Sequence, residues 1–152
     1  MSFEPEPVMQ LLYLMDRPEL VRVLARLHYE EWSYLRPGES REERTSRLRG
    51  CMGHREIPTV VVALDNEVLL GSAMLVLKDL DTHRQLSPWL AGVYVVREFR
   101  GRGVATARVR RIIDEAEALG FRKLYLYTPS AERFFSDRAG LSWSTHCFTI
   151  QP

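Results

Sequence analysis

The sequence predicts an α/β (α+β) fold, a mixed sheet with flanking helices, and three observations carry that prediction. Apolar runs of strand length alternate with segments of helical spacing in the order β-α-α-β-β-β-α-β-α-β. Two of the runs, Thr59–Leu64 and Val68–Val76, are separated only by Asp65-Asn66-Glu67, which makes them a hairpin. The stretch from Leu90 to Thr106 reads as a strand, a tight arginine and glycine turn, and the start of a helix. A chain of 152 residues is expected to form one domain, 1–152, burying roughly two-thirds of its unfolded surface.

The elements follow in order. Met1 to Pro7 is polar and proline-bearing, a loose leader. Val8 to Met15 is the first strand. Asp16-Arg17-Pro18-Glu19 opens a helix, with Leu20, Val21, Val23, Leu24 and Leu27 as its apolar face and its end near Glu31 or Trp32. Pro37-Gly38 marks a turn, and Ser40 with Glu43 fits a capping box for a second helix reaching about Leu48. After the hairpin, Lys78 to Pro88 is polar and irregular and leads through Trp89 into a central strand. Val93, Tyr94, Val95 and Val96 have the β-branched and aromatic composition of a buried strand. Ala105, Val109, Ile112, Ala116 and Leu119 step by four and three along the next helix, which Gly120 closes. Lys123–Thr128 is a fifth strand, Ala131 to Ala139 a shorter helix, and Trp143 to Ile150 a last strand.

Charge narrows the function. Lys plus Arg is 21 against 20 for Asp plus Glu, a net charge of +1, which argues against a nucleic-acid binder. The charge is uneven, with six arginines and one acid between Arg97 and Arg111. Arg108, Arg110 and Arg111 are expected on a solvated helix face, and Arg100 and Arg102, inside the turn, on phosphate. Gly101 and Gly103 let that turn bend and keep Cβ atoms away from a ligand. A turn feeding a helix N-terminus offers free N–H groups and the positive end of the helix dipole, an anion site. Cys51 and Cys147 are far apart and lack metal-ligand spacing, so no metal and a reducing, cytoplasmic setting are expected. No apolar run approaches transmembrane length, and no membrane partner is expected.

Arg100-x-x-Gly103-x-Ala105, preceded by a strand at Val93–Val95, resembles the acetyl-CoA pyrophosphate loop of the GNAT N-acetyltransferase superfamily. Leu124–Thr128 looks like that fold's fifth strand, and Glu132–Leu141 like the helix and Gly-aromatic turn after it, so the resemblance covers most of the chain. It implies a mostly antiparallel central sheet with acetyl-CoA, as co-substrate, between two splayed central strands. It also implies transfer of the acetyl group to a primary amine by direct attack in a ternary complex. Carried over, the backbone of Val93, Tyr94 and Val95 lies along the pantetheine arm, and the Val95 N–H polarises the thioester carbonyl. Arg100, Gly101, Arg102, Gly103, Val104, Ala105 and Thr106 would hold the pyrophosphate.

The sequence departs from the family in two places. Where many members carry a proton-donating tyrosine, counting back from Gly140 reaches Ser136, and counting forward from Thr128 reaches Phe135. Ser136 is the candidate to hydrogen-bond the sulfur or position a water. Only twelve residues follow Gly140, where the family closes with a two-stranded hairpin. The second of those strands is therefore expected to be missing or supplied by a partner chain, which leaves a homodimer open.

For the acceptor, Glu30, Glu31 and Trp32 at the end of the first helix border the site in this fold. Asp79, Asp81 and His83 rank beside them as candidate bases. Trp89 is a core or pocket-wall residue, with substrate stacking as its alternative role, and His28 and His146 are structural or exposed. A small-molecule amine is the first expectation and a protein or peptide N-terminus the second. A non-catalytic acyl-CoA sensor is the rival that the absent tyrosine supports.

Overall fold

The computed structural model describes residues 9–77, 87–101, 104–127, 141–144 and 147–150. Strands β1 (Met9–Tyr13), β2 (Thr59–Asp65), β3 (Val68–Val76), β4 (Trp89–Val95), β5 (Tyr125–Tyr127), β6 (Leu141–Ser144) and β7 (Cys147–Ile150) form one sheet. Its order is β1-β2-β3-β4-β5-β7-β6. Every pairing is antiparallel except β4 with β5. The expected mostly antiparallel α+β sheet is what forms. Among the described residues, no helix is long and apolar enough to cross a membrane.

The sheet is covered on both faces, which is why β2 reads Thr-Val-Val-Val-Ala-Leu without a polar break. Strand period two sends Val60, Val62 and Leu64 to one face, against Leu24 and Ala25 of α1 (Val21–Trp32) and Leu48 of α2 (Arg41–Arg49). Val61 goes to the other face, against Val109, Ile112 and Ala116 of α3 (Val104–Ala118). In the β2–β3 hairpin Asp65 still pairs with Val68, so the turn shortens to Asn66-Glu67. Asn66 takes φ +53, a left-handed conformation that asparagine tolerates.

Two local expectations shift and a third holds. The first helix begins at Val21, after single 3-10 turns at Leu14–Asp16 and Pro18–Leu20, because Arg17 at φ −135, ψ 62 breaks the helical path. Its buried face is Val21, Leu24, Ala25 and His28, whereas Val23 is exposed. The second helix starts as its capping box predicts, with Ser40 Oγ accepting from Glu43 N at 3.1 Å.

The C-terminal tail is the larger correction. Instead of one strand lacking its partner, it folds as a hairpin, with β7 pairing β5 on one side and β6 on the other. Four residues per strand suffice, so the chain supplies both strands itself and the sheet-edge argument for a homodimer falls away.

Helix α3 keeps Val109, Ile112, Ala116 and Leu119 of its expected inner stripe, and Gly120 N bonds Glu117 O at 2.9 Å where the helix ends. Its arginines do not all face solvent. Arg110 is exposed, but Arg111 is half-buried and Arg108 is 0% exposed. Position 108 lies one turn from both Val104 and Ile112, on the helix's inner face. The expected helix at Ala131–Ala139, with Phe135 and Ser136, lies outside the described residues. So do Asp79, Asp81, His83, Arg102, Gly103 and His146.

Candidate active site

Strands β4 and β5 pair only at their starts among the described residues. Trp89 faces Tyr125 and Leu90 faces Leu126, and no pairing follows between the described residues of the two strands. Strand β4 runs on from Ala91 to Val95 paired with β3 and, among the described residues, with no strand paired on its other side. Val96 N bonds Leu70 O at 2.8 Å, which makes Leu70 and Val96 a hydrogen-bonded pair. Gly71 and Val95, the next pair in register, are then a non-bonded pair in the alternating antiparallel ladder. The Val95 N–H and C=O therefore point away from β3, to the side that β5 leaves open. Val95 O accepts from Arg100 Nε at 3.0 Å, so the turn folds back over the strand end.

That turn contains a 3-10 segment, Arg97–Phe99, which the sequence did not announce. Gly101 then takes φ +82, a conformation that favours glycine. Val104, Ala105 and Thr106 form the first turn of the fifteen-residue α3, where backbone N–H groups lack helical partners. The sequence-predicted donors Val93, Tyr94, Val95, Arg100, Gly101, Val104, Ala105 and Thr106 thus come together at one end of the sheet. Val93 and Val95 pack their side chains toward α3, leaving their backbone along the open edge of β4.

The wall on the α1 side is built around a bulge. Ser72 faces Tyr94 and Met74 faces Ala91, so Gly92 and Val93 share one opposite residue, Ala73. Gly92 takes φ +57, and its carbonyl accepts from Ser72 Oγ at 2.9 Å. With its hydrogen used there, Ser72 Oγ accepts from His28 Nε2, also at 2.9 Å, which assigns the proton to that ring nitrogen. Burial, aided by the Arg44 and Arg47 charges, lowers the His28 pKa to about 3, so the ring is a neutral strut. It packs on Trp32 and Tyr94, with ring centroids 4.9 and 5.9 Å away, and Trp32 meets Tyr94 edge-on at 5.9 Å.

Charge gathers at the same place. Glu31 Oε2 lies 3.6 Å from Arg100 Nη2, with both side chains partly exposed. Glu30 is exposed at the end of α1. Burial first, then the charge of Glu31, raises the Tyr94 pKa, which keeps the phenol protonated. Glu31, Trp32, Tyr94 and Arg100 therefore border one space. Trp89 does not join them: it is 0% exposed at the far end of β4, 5.8 Å from the Tyr125 ring. A fully buried indole offers no face for a substrate to stack on, so Trp89 is core.

On the α3 side lies a residue that sequence reasoning put in solvent. Arg108 Nη1 donates to Tyr94 O at 2.6 Å and to Ser72 O at 2.8 Å, and Nε to Val104 O at 3.3 Å. Burial lowers its pKa to about 9, which leaves it charged at neutral pH. Gly71 makes the room. A Cβ there would overlap the Tyr94 carbonyl oxygen and come within 2.5 Å of Arg108 Nη1. Both signals were legible: an arginine on the inner stripe of a helix, and a glycine inside a strand, which marks close backbone approach.

The family model described as acetyltransferase (GNAT) family matches residues 21–140. Solved structures share the fold along nearly the whole chain. A predicted acetyltransferase from Clostridium acetobutylicum, solved with acetyl-CoA, is 17% identical, with 90% of this chain and 92% of that one covered and a TM-score of 0.69. The aminoglycoside N-acetyltransferase AAC(6')-Iy, in complex with CoA, is 17% identical over 95% and 93% of the two chains, with a TM-score of 0.69. Glucosamine-6-phosphate N-acetyltransferase from Arabidopsis thaliana is 16% identical over 95% and 96%, with a TM-score of 0.62. A search of curated protein sequences finds no match.

Proposed function

We propose, because this chain belongs to the acetyltransferase (GNAT) family, that it acetylates a small cationic primary amine bound beside Glu31, Trp32 and Tyr94. It is an acetyl-CoA-dependent N-acetyltransferase. The observation that carries our reading of the site is the direction of the Val95 N–H, toward the gap where β5 has left β4. A pantetheine arm fits an open strand edge of this kind as a missing strand would, on the backbone of Val93, Tyr94 and Val95. The pyrophosphate would meet Arg100, Gly101, Arg102 and Gly103 and the first N–H groups of α3, at Val104, Ala105 and Thr106.

The chemistry asks little more of the protein. The ammonium group gives a proton to water and the neutral amine's lone pair attacks the thioester carbon; a C–N bond forms, the C–S bond breaks, the nitrogen releases a second proton, and the thiolate takes one up. The Val95 N–H stabilises the negative charge on the carbonyl oxygen. A thiolate of pKa about 8.5, by analogy with cysteine, leaves without strong acid assistance, so a serine at Ser136 or a water is sufficient.

Two features favour a small cationic acceptor. The exposed Glu31 carboxylate, with Glu30 beside it, attracts an ammonium group. Two structural neighbours whose names carry an acceptor are a glucosamine-6-phosphate and an aminoglycoside N-acetyltransferase.

Thermal unfolding with acetyl-CoA, against ATP and NAD as controls, tests the donor site. Ligand at a hundred times its dissociation constant adds about 2.7 kcal/mol, a rise of several degrees. An equal rise with all three ligands would reduce the loop to a generic anion site. Release of free CoA with amino sugars, polyamines and aminoglycosides, set against N-terminal peptides, then tests the acceptor. Glu31→Gln is expected to raise KM for the best amine about fivefold and leave acetyl-CoA binding unchanged. Faster turnover of the peptides would overturn the small-molecule reading.

A further inference from the structure

We propose that Arg108 is a positioning residue for acyl transfer: through the Tyr94 carbonyl it orients and polarises the peptide whose other end is the Val95 N–H. The inference rests on the reading of that N–H as the donor to the thioester oxygen. The Tyr94 C=O and the Val95 N–H belong to one planar trans peptide and point in opposite directions. The carbonyl faces β3 and meets the Arg108 guanidinium at 2.6 Å, while the N–H faces the open side of β4. A cation hydrogen-bonded to an amide oxygen draws electron density from the nitrogen and makes the N–H a stronger donor.

The surroundings are arranged for this contact. Nη1 also holds Ser72 O, so one guanidinium edge spans β3 and β4 just past the bulge. Gly71 gives up its side chain to let Nη1 in. Among the described residues, no carboxylate pairs with Arg108, and its buried Nη2 has no partner. A buried cation without a counter-charge carries a desolvation cost that packing alone does not require, since methionine would fill the same channel. Its two shortest hydrogen bonds go to the Tyr94 and Ser72 carbonyls.

The experiment is isotope-edited infrared spectroscopy of acetyl-CoA carrying a 13C carbonyl, bound to the full chain and to variants. In wild type the thioester band should lie below its value in free acetyl-CoA. In Arg108→Met about half of that displacement should be lost, while acetyl-CoA affinity stays within about twofold. With the best amine from the acceptor screen, kcat should fall about tenfold with little change in KM for acetyl-CoA. Arg108→Lys, which keeps the charge, should retain more of the displacement than Arg108→Gln, which keeps only a donor.

An undiminished displacement in Arg108→Met, with acetyl-CoA bound, would overturn the inference and leave the Val95 reading standing. No displacement in bound wild type would remove the Val95 reading, and the inference with it. If Arg108→Met does not fold, the Lys and Gln variants decide: a larger displacement with Lys supports the inference, and equal displacements overturn it.

Discussion

Helix α3 buries two charges, Arg108 and Glu115, about two turns apart, and surrounds them differently. Glu115 Oε1 accepts from the Tyr13 hydroxyl at 2.6 Å, from Arg111 Nε at 2.9 Å and from Arg55 Nη2 at 3.4 Å. The Arg111 guanidinium also lies over the Tyr13 ring, 5.0 Å from its centre. Burial disfavours the Glu115 carboxylate, but the Tyr13 and Arg111 hydrogen bonds outweigh it and hold its pKa below the usual range. Among the described residues Arg108 has carbonyl partners and no such compensation. The compensated charge ties β1 to the far end of α3, away from the reacting groups. The uncompensated one sits behind the peptide aimed at the substrate gap. Partner chemistry, more than burial, separates a structural charge from one placed to act.

The comparison makes a ranked set of predictions. Glu115→Ala leaves the half-buried Arg111 guanidinium without its counter-charge and the Tyr13 hydroxyl without its acceptor, and should cost about 3 kcal/mol, a fall in Tm of roughly 6–12 °C. Acetyl-CoA should still raise Tm in that variant. A cost below about 1 kcal/mol, read from urea unfolding, would mean the cluster ties nothing together.

Acid should separate the buried groups further. An unfolded histidine binds a proton near pH 6.5, whereas folded His28 does so only near pH 3. The unfolded state holds more protons in that window, so stability falls as pH drops through it, by up to about 1.4 kcal/mol per unit. Glu115, with its lowered pKa, contributes stability that is complete above about pH 4.5 and is lost as pH falls through its folded value. Between pH 6.5 and 5 the slope should therefore shrink in His28→Gln and persist in Glu115→Gln. Arg108 should contribute nothing to it.

Arg108→Met should change stability by only about 1 kcal/mol, because an apolar chain of similar length removes a desolvation cost along with the hydrogen bonds. A cost as large as that of Glu115→Ala would erase the distinction between the two charges. The smallest effect belongs to exposed Arg110 on the same helix, where alanine should stay within about 0.5 kcal/mol by urea unfolding and leave acetyl-CoA binding unchanged.

The amino-acid sequence by itself determined the order of elements from β1 to β5, the β2–β3 hairpin, the capping box at Ser40 and the strand–turn–helix around Arg100 and Gly101. Each of these is a local pattern, set by period, turn residues or caps within a few positions. Tertiary structure decided the rest. Whether twelve residues after Gly140 make one strand or two depends on β7 finding β5, a contact across the chain. Whether Trp89 lines a pocket depends on how much of β4 the sheet and Tyr125 cover. The fate of three nearby arginines on α3, with Arg110 exposed, Arg111 half-buried and Arg108 enclosed, turned on which side of a helix meets Gly71 and the Tyr94 carbonyl. Composition fixes that an arginine carries charge; only the packed fold fixes which groups face it, because the distances that set electrostatic strength are distances between segments remote in sequence.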